Sequence, residues 1–261
     1  TSATGITAIG NRALCSNTTG ANNTAVGLCA MRTSTTGANN TTVGMCSLFA
    51  NTTGASNVAI GVEASKTNTT GTANVSVGKE AMLANTTGDN NVAIGQDTMK
   101  ANTTASNNTA VGQASLNSNT TGHSNTAVGR ASLIANTEAD NGTAVGRNAL
   151  VANTTGNNNT AIGSGSSAAT TTGTGNVSVG QASFVTNTTG AGNVAIGRGS
   201  LYSNTTASEH TAVGTCSLFS NTTGTDNVAV GFCALSCNTT GATNTATGYL
   251  SLAANTTAAS N

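Results

Sequence analysis

The chain has 261 residues, of which 6% are charged and 2% aromatic, with no proline and a formal net charge of +0. Eight basic and eight acidic residues cancel without forming long runs, which leaves no basic stripe for nucleic acid. No apolar stretch approaches the ~18 residues of a membrane-spanning helix.

What remains is a chain of Gly, Ala, Ser, Thr and Asn that would read as low complexity but for its register. Fifteen glycines recur every 17 residues, at Gly10, Gly27, Gly44, Gly61, Gly78, Gly95 and onward to Gly248, with no insertion or deletion between them. Loops collect length changes freely, so an unbroken period means that no stretch behaves as a free loop. Units of this kind stack on their neighbours. We number the columns of the unit from this glycine, as column 0.

Taken in chain order, the first predicted element is the segment that ends at each glycine. It reads Thr or Val, then Ala, then Val or Ile, a period of two in β-branched residues that predicts a short strand. Column 16 is Val or Ile everywhere except Thr247 and is expected in the core. Column 15 is never larger than Thr, as at Ala25, Thr42, Ser76, Ala93 and Ala127, so something must pack closely on that face too. After the glycine, Leu14, Leu48, Met82, Leu133, Phe184 and Leu235 follow Ala or Ser and predict a second strand with two covered faces. Column 5 varies widely, from Phe49 and Lys66 through Leu83 and Asn117 to Tyr202 and Phe219, and is expected to face outward and carry contacts.

Asn-Thr-Thr-Gly then marks a second corner, with Ala in place of Gly only at Ala105, Ala139, Ala207 and Ala258. The glycine of column 0 is therefore expected to need its special backbone more than this one does. Thr fills column 8, as Thr18, Thr35 and Thr52, while Asn recurs in column 7 and again in column 13, at Asn23, Asn40, Asn57, Asn74 and Asn91. Identical Asn side chains stacked on parallel strands predict hydrogen-bonded ladders. The fold class expected is all-β, a parallel β-solenoid or β-roll of fifteen rungs in one repeat domain over residues 1–261, about 70 Å long at ~4.8 Å per rung.

Such a rung is thin. One Val or Ile and one Leu supply about 3–6 kcal/mol of burial, against roughly 25 kcal/mol for ordering a rung. Association through the small-residue faces would bury more, and a homotrimer is expected on that ground.

The strings Asn-Thr-Ala-Val-Gly (23–27, 108–112, 125–129) and Asn-Val-Ala-Ile-Gly (57–61, 91–95, 193–197) resemble the head repeats of YadA-type trimeric autotransporter adhesins. With the Asn-Thr-Thr-Gly spacing they are also similar to repeats of tail-fibre-like proteins of phages and environmental bacteria. The resemblance covers nearly the whole chain. It implies a left-handed parallel β-roll, three chains side by side, and an adhesive head or fibre shaft on a cell surface or virion. The unit is a few residues longer than is usual in adhesin heads, because of the Asn-Thr-Thr-Gly loop. The chain opens without Met or a charged leader and is read as a fragment of a longer fibre protein.

Candidate sites are few. Cys29 and Cys46 share column 2 in adjacent rungs, as do Cys216 and Cys233, where the spacing permits disulfides; unpaired roles as small hydrophobes are the other reading. Glu63, Glu80 and Asp97 stack in the same column beside Lys66, Lys79 and Lys100. A bound cation is one reading of these carboxylates and neutralisation by the lysines the other. Twelve units carry an Asn-Thr-Thr sequon, among them Asn51, Asn153 and Asn221, which would accept glycans in a secretory pathway equipped for it. No nucleophile with a neighbouring base, paired carboxylates or phosphate loop is found, so no enzyme and no cofactor are expected. Residues 163–175, where Ser166, Ser167 and Ala168 depart from the pattern, are read as drift. The expected function is a structural and adhesive extracellular fibre segment, with self-association and a host-surface receptor or glycan as partners. An ice-binding solenoid and a filament built end to end are the alternatives.

Overall fold

The computed structural model describes residues 3–261 and is all-β, a parallel β-solenoid with one strand per rung. It has two compact units, Thr1–Asn125 and Thr126–Asn261. The first carries seven three-residue strands, from β1 (Thr7–Ile9) to β7 (Thr109–Val111), and the second carries eight, from β8 (Thr126–Val128) to β15 (Thr245–Thr247). Within each unit consecutive strands pair in parallel with each residue facing its own column, as in Val58↔Val75, Ala59↔Ser76 and Ile60↔Val77.

The strand is the expected one, but among the described residues the second strand is absent. The backbone of columns 2 and 4 turns into the left-handed region instead, with φ of 54° at Cys46 and 49° at Leu48. That alternation aims successive amides at opposite neighbours. Cys46 N–H donates back to Leu28 O at 2.9 Å and Leu48 N–H forward to Ala64 O at 2.9 Å. The segment is thus bonded rung to rung without being extended, at a cost of roughly 1–2 kcal/mol for each non-glycine residue held there. The Asn-rich column 12, left-handed at Asn22, Asn39 and Asn90, bears that conformation more cheaply because Asn tolerates it.

The inside and outside of the strand are reversed from the sequence expectation. Column 15 points inward, and Ala25, Ala59, Ala93 and Ala127 are fully buried. Column 16 points outward, with Ile60 38%, Ile94 40% and Ile162 40% exposed. The reason is the width of the rung. Its interior already holds the column 4 side chains, so that Leu14, Met31 and Leu48 pack with Ala25, Ala30, Ala59 and Ala64 in one apolar cluster. A second large residue per rung has no room there, and the small residues of column 15 line the core rather than an association surface.

The serines of 163–175 are part of this core and not drift. Column 4 is Ser in only two rungs, Ser65 and Ser167, and column 15 is Ser in only two, Ser76 and Ser178. These meet. Ser65 Oγ donates to Ser76 Oγ at 2.9 Å, Ser167 and Ser178 lie 2.7 Å apart, and Ser166 and Ser183 join them at 2.9 Å. Each buried hydroxyl therefore has a partner, as burial requires. Thr42 and Ser34 break the rule, with buried hydroxyls that have none.

The two glycine corners differ as their tolerance of Ala suggests. Column 0 has φ between 125° and 139°, where L-residues are rarely found, and a Cβ on Gly61 would lie 2.4 Å from Gly78 O of the next rung. Column 10 glycines approach the next rung as closely, a Cβ on Gly54 meeting Gly71 O, but they have no such φ, and Ala105, Ala139 and Ala207 occupy the same corner buried, so the φ is what sets the two corners apart. Gly61→Ala is expected to cost at least ~3 kcal/mol and Gly54→Ala measurably less, by urea unfolding midpoints, because both meet a carbonyl of the next rung but only Gly61 also holds a φ that L-residues rarely adopt. Equal losses would contradict this account of the corner.

Candidate functional site

The most regular columns are occupied with holding rungs together. In column 13, Asn40 Nδ2 donates to Gly54 O of the next rung at 2.9 Å, and its Oδ1 accepts the Asn57 backbone N–H at 2.9 Å. In column 7, Asn68 Nδ2 donates to Asn51 Oδ1 at 3.0 Å and to Gly71 O of its own corner at 3.0 Å. Thr52 Oγ1 in column 8 donates to Thr69 O at 3.0 Å. Buried amides so placed satisfy both donor and acceptor, which is why Asn rather than an apolar residue fills these columns.

This geometry bears on the glycan reading at the three named sequons. Asn51, Asn153 and Asn221 are buried, and their Nδ2 atoms donate to Gly54, Gly156 and Gly224 carbonyls at 3.0, 3.1 and 3.0 Å. An N-linked sugar on any of them has no space and would break the corner. The cysteines likewise form no disulfide; Cys29, Cys46, Cys216 and Cys233 are all free thiols. In-register stacking sets their side chains alongside one another, not facing, and burial pushes the Cys233 thiol up, with Cys216 beside it adding to the rise.

The acidic column is neutralised by lysines. Lys66 Nζ donates to Glu63 Oε1 at 2.8 Å, Lys79 reaches Glu80 at 3.3 Å, and Lys100 bridges Glu80 and Asp97, the latter at 3.2 Å. Hydrogen bonds from Lys100 and Lys79 hold the Glu80 carboxyl below its ordinary range, while Glu63 raises Lys66 and the Glu80 and Asp97 pair raises Lys100. Among the described residues no three His, Cys, Asp or Glu side chains gather as metal ligands.

These ion pairs show that columns 2 and 5 lie within reach of each other, as Glu63–Lys66 and Asp97–Lys100 do in the rungs of Gly61 and Gly95. In the rungs of Gly180 and Gly197 column 2 shrinks to Ala182 and Gly199, leaving a shallow notch of about 220 Å³. Tyr202 and Phe219 of column 5 wall one side, their rings stacked 5.0 Å apart at 14°. Gln181 and Arg198 of column 1 line the other. The variability of column 5 was legible in the sequence; the notch was not, although Ala182 and Gly199 beside two aromatics are its signal. Phe232 and Tyr249 stack in the same manner in column 1, at 5.4 Å.

The sequence matches no protein-family model and no curated protein.

One buried group titrates. His210 takes the place of Asn in column 13, where its Nδ1 accepts the Asn227 backbone N–H at 3.2 Å and Nε2 lies 3.2 Å from Asn221 Nδ2. Burial pushes its pKa down to about 4 from 6.5, more than the carbonyl and Asp226 nearby can offset. Only the neutral ring can accept at Nδ1. Above pH 6.5 folded and unfolded rings are both neutral, and as pH falls toward 4 the unfolded ring takes a proton that the folded one refuses. Stability is expected to fall by about 3 kcal/mol over that window. Thermal melts of His210→Asn should lose this part of the pH dependence, and an unchanged pH profile would refute it.

Proposed function

We propose that the chain is a segment of a structural, adhesive extracellular fibre whose copies associate through the outward face of the strand. The coarse part is plain in the fold, a repeat protein built of near-identical stacked rungs. The observation that carries the finer part is the exposed column of Val and Ile. Val43, Ile60, Ile94, Val128, Val145, Ile162 and Ile196 leave an apolar line along each unit. An aligned line of large aliphatic side chains is unusual on a surface unless something covers it. It recurs once per rung, so a partner must share the rung spacing to cover it throughout, and a second copy of this chain does so by construction. The homotrimer is kept as the proposed assembly, with column 16 in place of the small-residue face as its contact. A thin core and a need for lateral partners fit the adhesin-head and tail-fibre resemblance, and a repeated outer surface fits adhesion better than catalysis.

One observation favours ice binding as a second reading. Columns 14 and 16 point the same way, so each strand offers Thr or Val beside Val or Ile on one outward sheet face. The Thr of column 8 does not serve this role, since its hydroxyl donates to the next rung. Thermal hysteresis in the purified protein would favour ice; its absence leaves the fibre.

Light scattering on the folded chain is expected to give the mass of three copies. Ile94→Asp with Ile162→Asp should weaken association at least tenfold while each chain stays folded, since each change takes an aliphatic group out of the contact and puts a charge into it. A monomer at all concentrations would discard the proposal.

A further inference from the structure

We infer that the notch between columns 2 and 5 in the rungs of Gly180, Gly197 and Gly214 is a binding subsite for a carboxylate-bearing sugar residue. The inference rests on the adhesive reading for its purpose, but its test stands whether or not chains associate.

Three features converge there. The first is space, because column 2 is small at Ala182 and Gly199, and the other rungs with Ala or Gly there, those of Ala114, Ala131 and Gly165, place Asn117, Ile134 and Ala168 in column 5 rather than an aromatic pair. A Cβ at Gly199 would stand 3.5 Å from Phe219 Cε2 and 3.7 Å from Cys216 Sγ, so any larger residue fills the notch. The second is an amphipathic lining, with the Tyr202 and Phe219 rings on one wall and hydrogen-bonding side chains on the other. A pyranose has the matching character, an apolar face of C–H groups and a periphery of hydroxyls. The third is charge. Arg198 is exposed and has no acidic partner among the described residues, and no carboxylate lines the notch. A guanidinium next to an apolar wall, with its donor fork unspent, selects a planar anion such as a carboxylate. Gln181 adds an amide that can meet a hydroxyl as donor or acceptor.

The notch is shallow and holds one ring, so each subsite binds weakly, and useful adhesion comes from several chains in one fibre acting together. The experiment is a ligand-observed NMR titration of the intact chain with free glucuronate, glucose and acetate. Glucuronate is expected to saturate with a Kd of about 1–10 mM, glucose to bind at least tenfold more weakly, and acetate not to saturate. Arg198→Gln should weaken glucuronate at least tenfold. Gly199→Asn should abolish binding while leaving the melting curve in place, since Asn148 already holds the same column with φ 58°. No saturation by glucuronate up to about 50 mM, acetate binding as tightly as glucuronate, or unchanged binding in Gly199→Asn would each overturn the inference. A failure here leaves the chain number measured by light scattering untouched.

Discussion

The constraint on which everything else depends is the contact of a column 0 glycine with the carbonyl of the same glycine one rung on, as between Gly27 and Gly44 or Gly61 and Gly78. At that corner the backbone of Gly61 lies so close to Gly78 O that no Cβ fits, and its φ of 134° is one that side chains do not adopt. A rung that turns there must end its strand in phase with its neighbour, and that phase places every other column over itself. The asparagine ladders, the threonine hydroxyl bonds and the in-register strands all require this alignment. One residue inserted anywhere would put Asn over Thr and leave buried amides without partners, which is why the period never slips.

The period, the all-β class, the strand and the two Asn columns were legible because each is a property of identical residues repeated at fixed spacing. What was not legible is which face of the strand is inside. Val and Ile at column 16 read as core by hydrophobicity alone, but the interior of a 17-residue rung is filled by Leu48 or Met82 from column 4 and by buried amides. Only Ala, Ser or Thr fits beside them, so the restriction of column 15 was the stronger signal. The second strand failed for a related reason. Leu at column 4 is a poor left-handed residue, and nothing local predicts that it will be held there by a hydrogen bond to the next rung while column 2 is bonded to the one before. The paired serines at 65 with 76 and 167 with 178 were readable as matched exceptions 11 residues apart.

With its inside and outside set, the molecule divides its labour by column. Columns 3, 4, 7, 13 and 15 hold the rungs together, and their uniformity leaves them no scope for recognition. Columns 1, 2, 5 and 16 face outward. Column 16 is uniform and apolar, the character of an assembly surface, whereas columns 1, 2 and 5 vary from rung to rung and hold the ion pairs, the stacked rings and the notch. Variation in the sequence, which first looked like noise on a regular background, is where a repeated scaffold can carry something particular.

The central claim is that every corner of the rung, and not the strand alone, is hydrogen-bonded to its neighbours. Residue-resolved amide hydrogen exchange by NMR tests it most directly. The account predicts slow exchange recurring every 17 residues at columns 2, 4, 8, 12 and 14, represented by Cys46, Leu48, Thr52, Ser56 and Val58. Protection confined to columns 14–16, with the amides of columns 2 and 4 exchanging like those of a free loop, would contradict it.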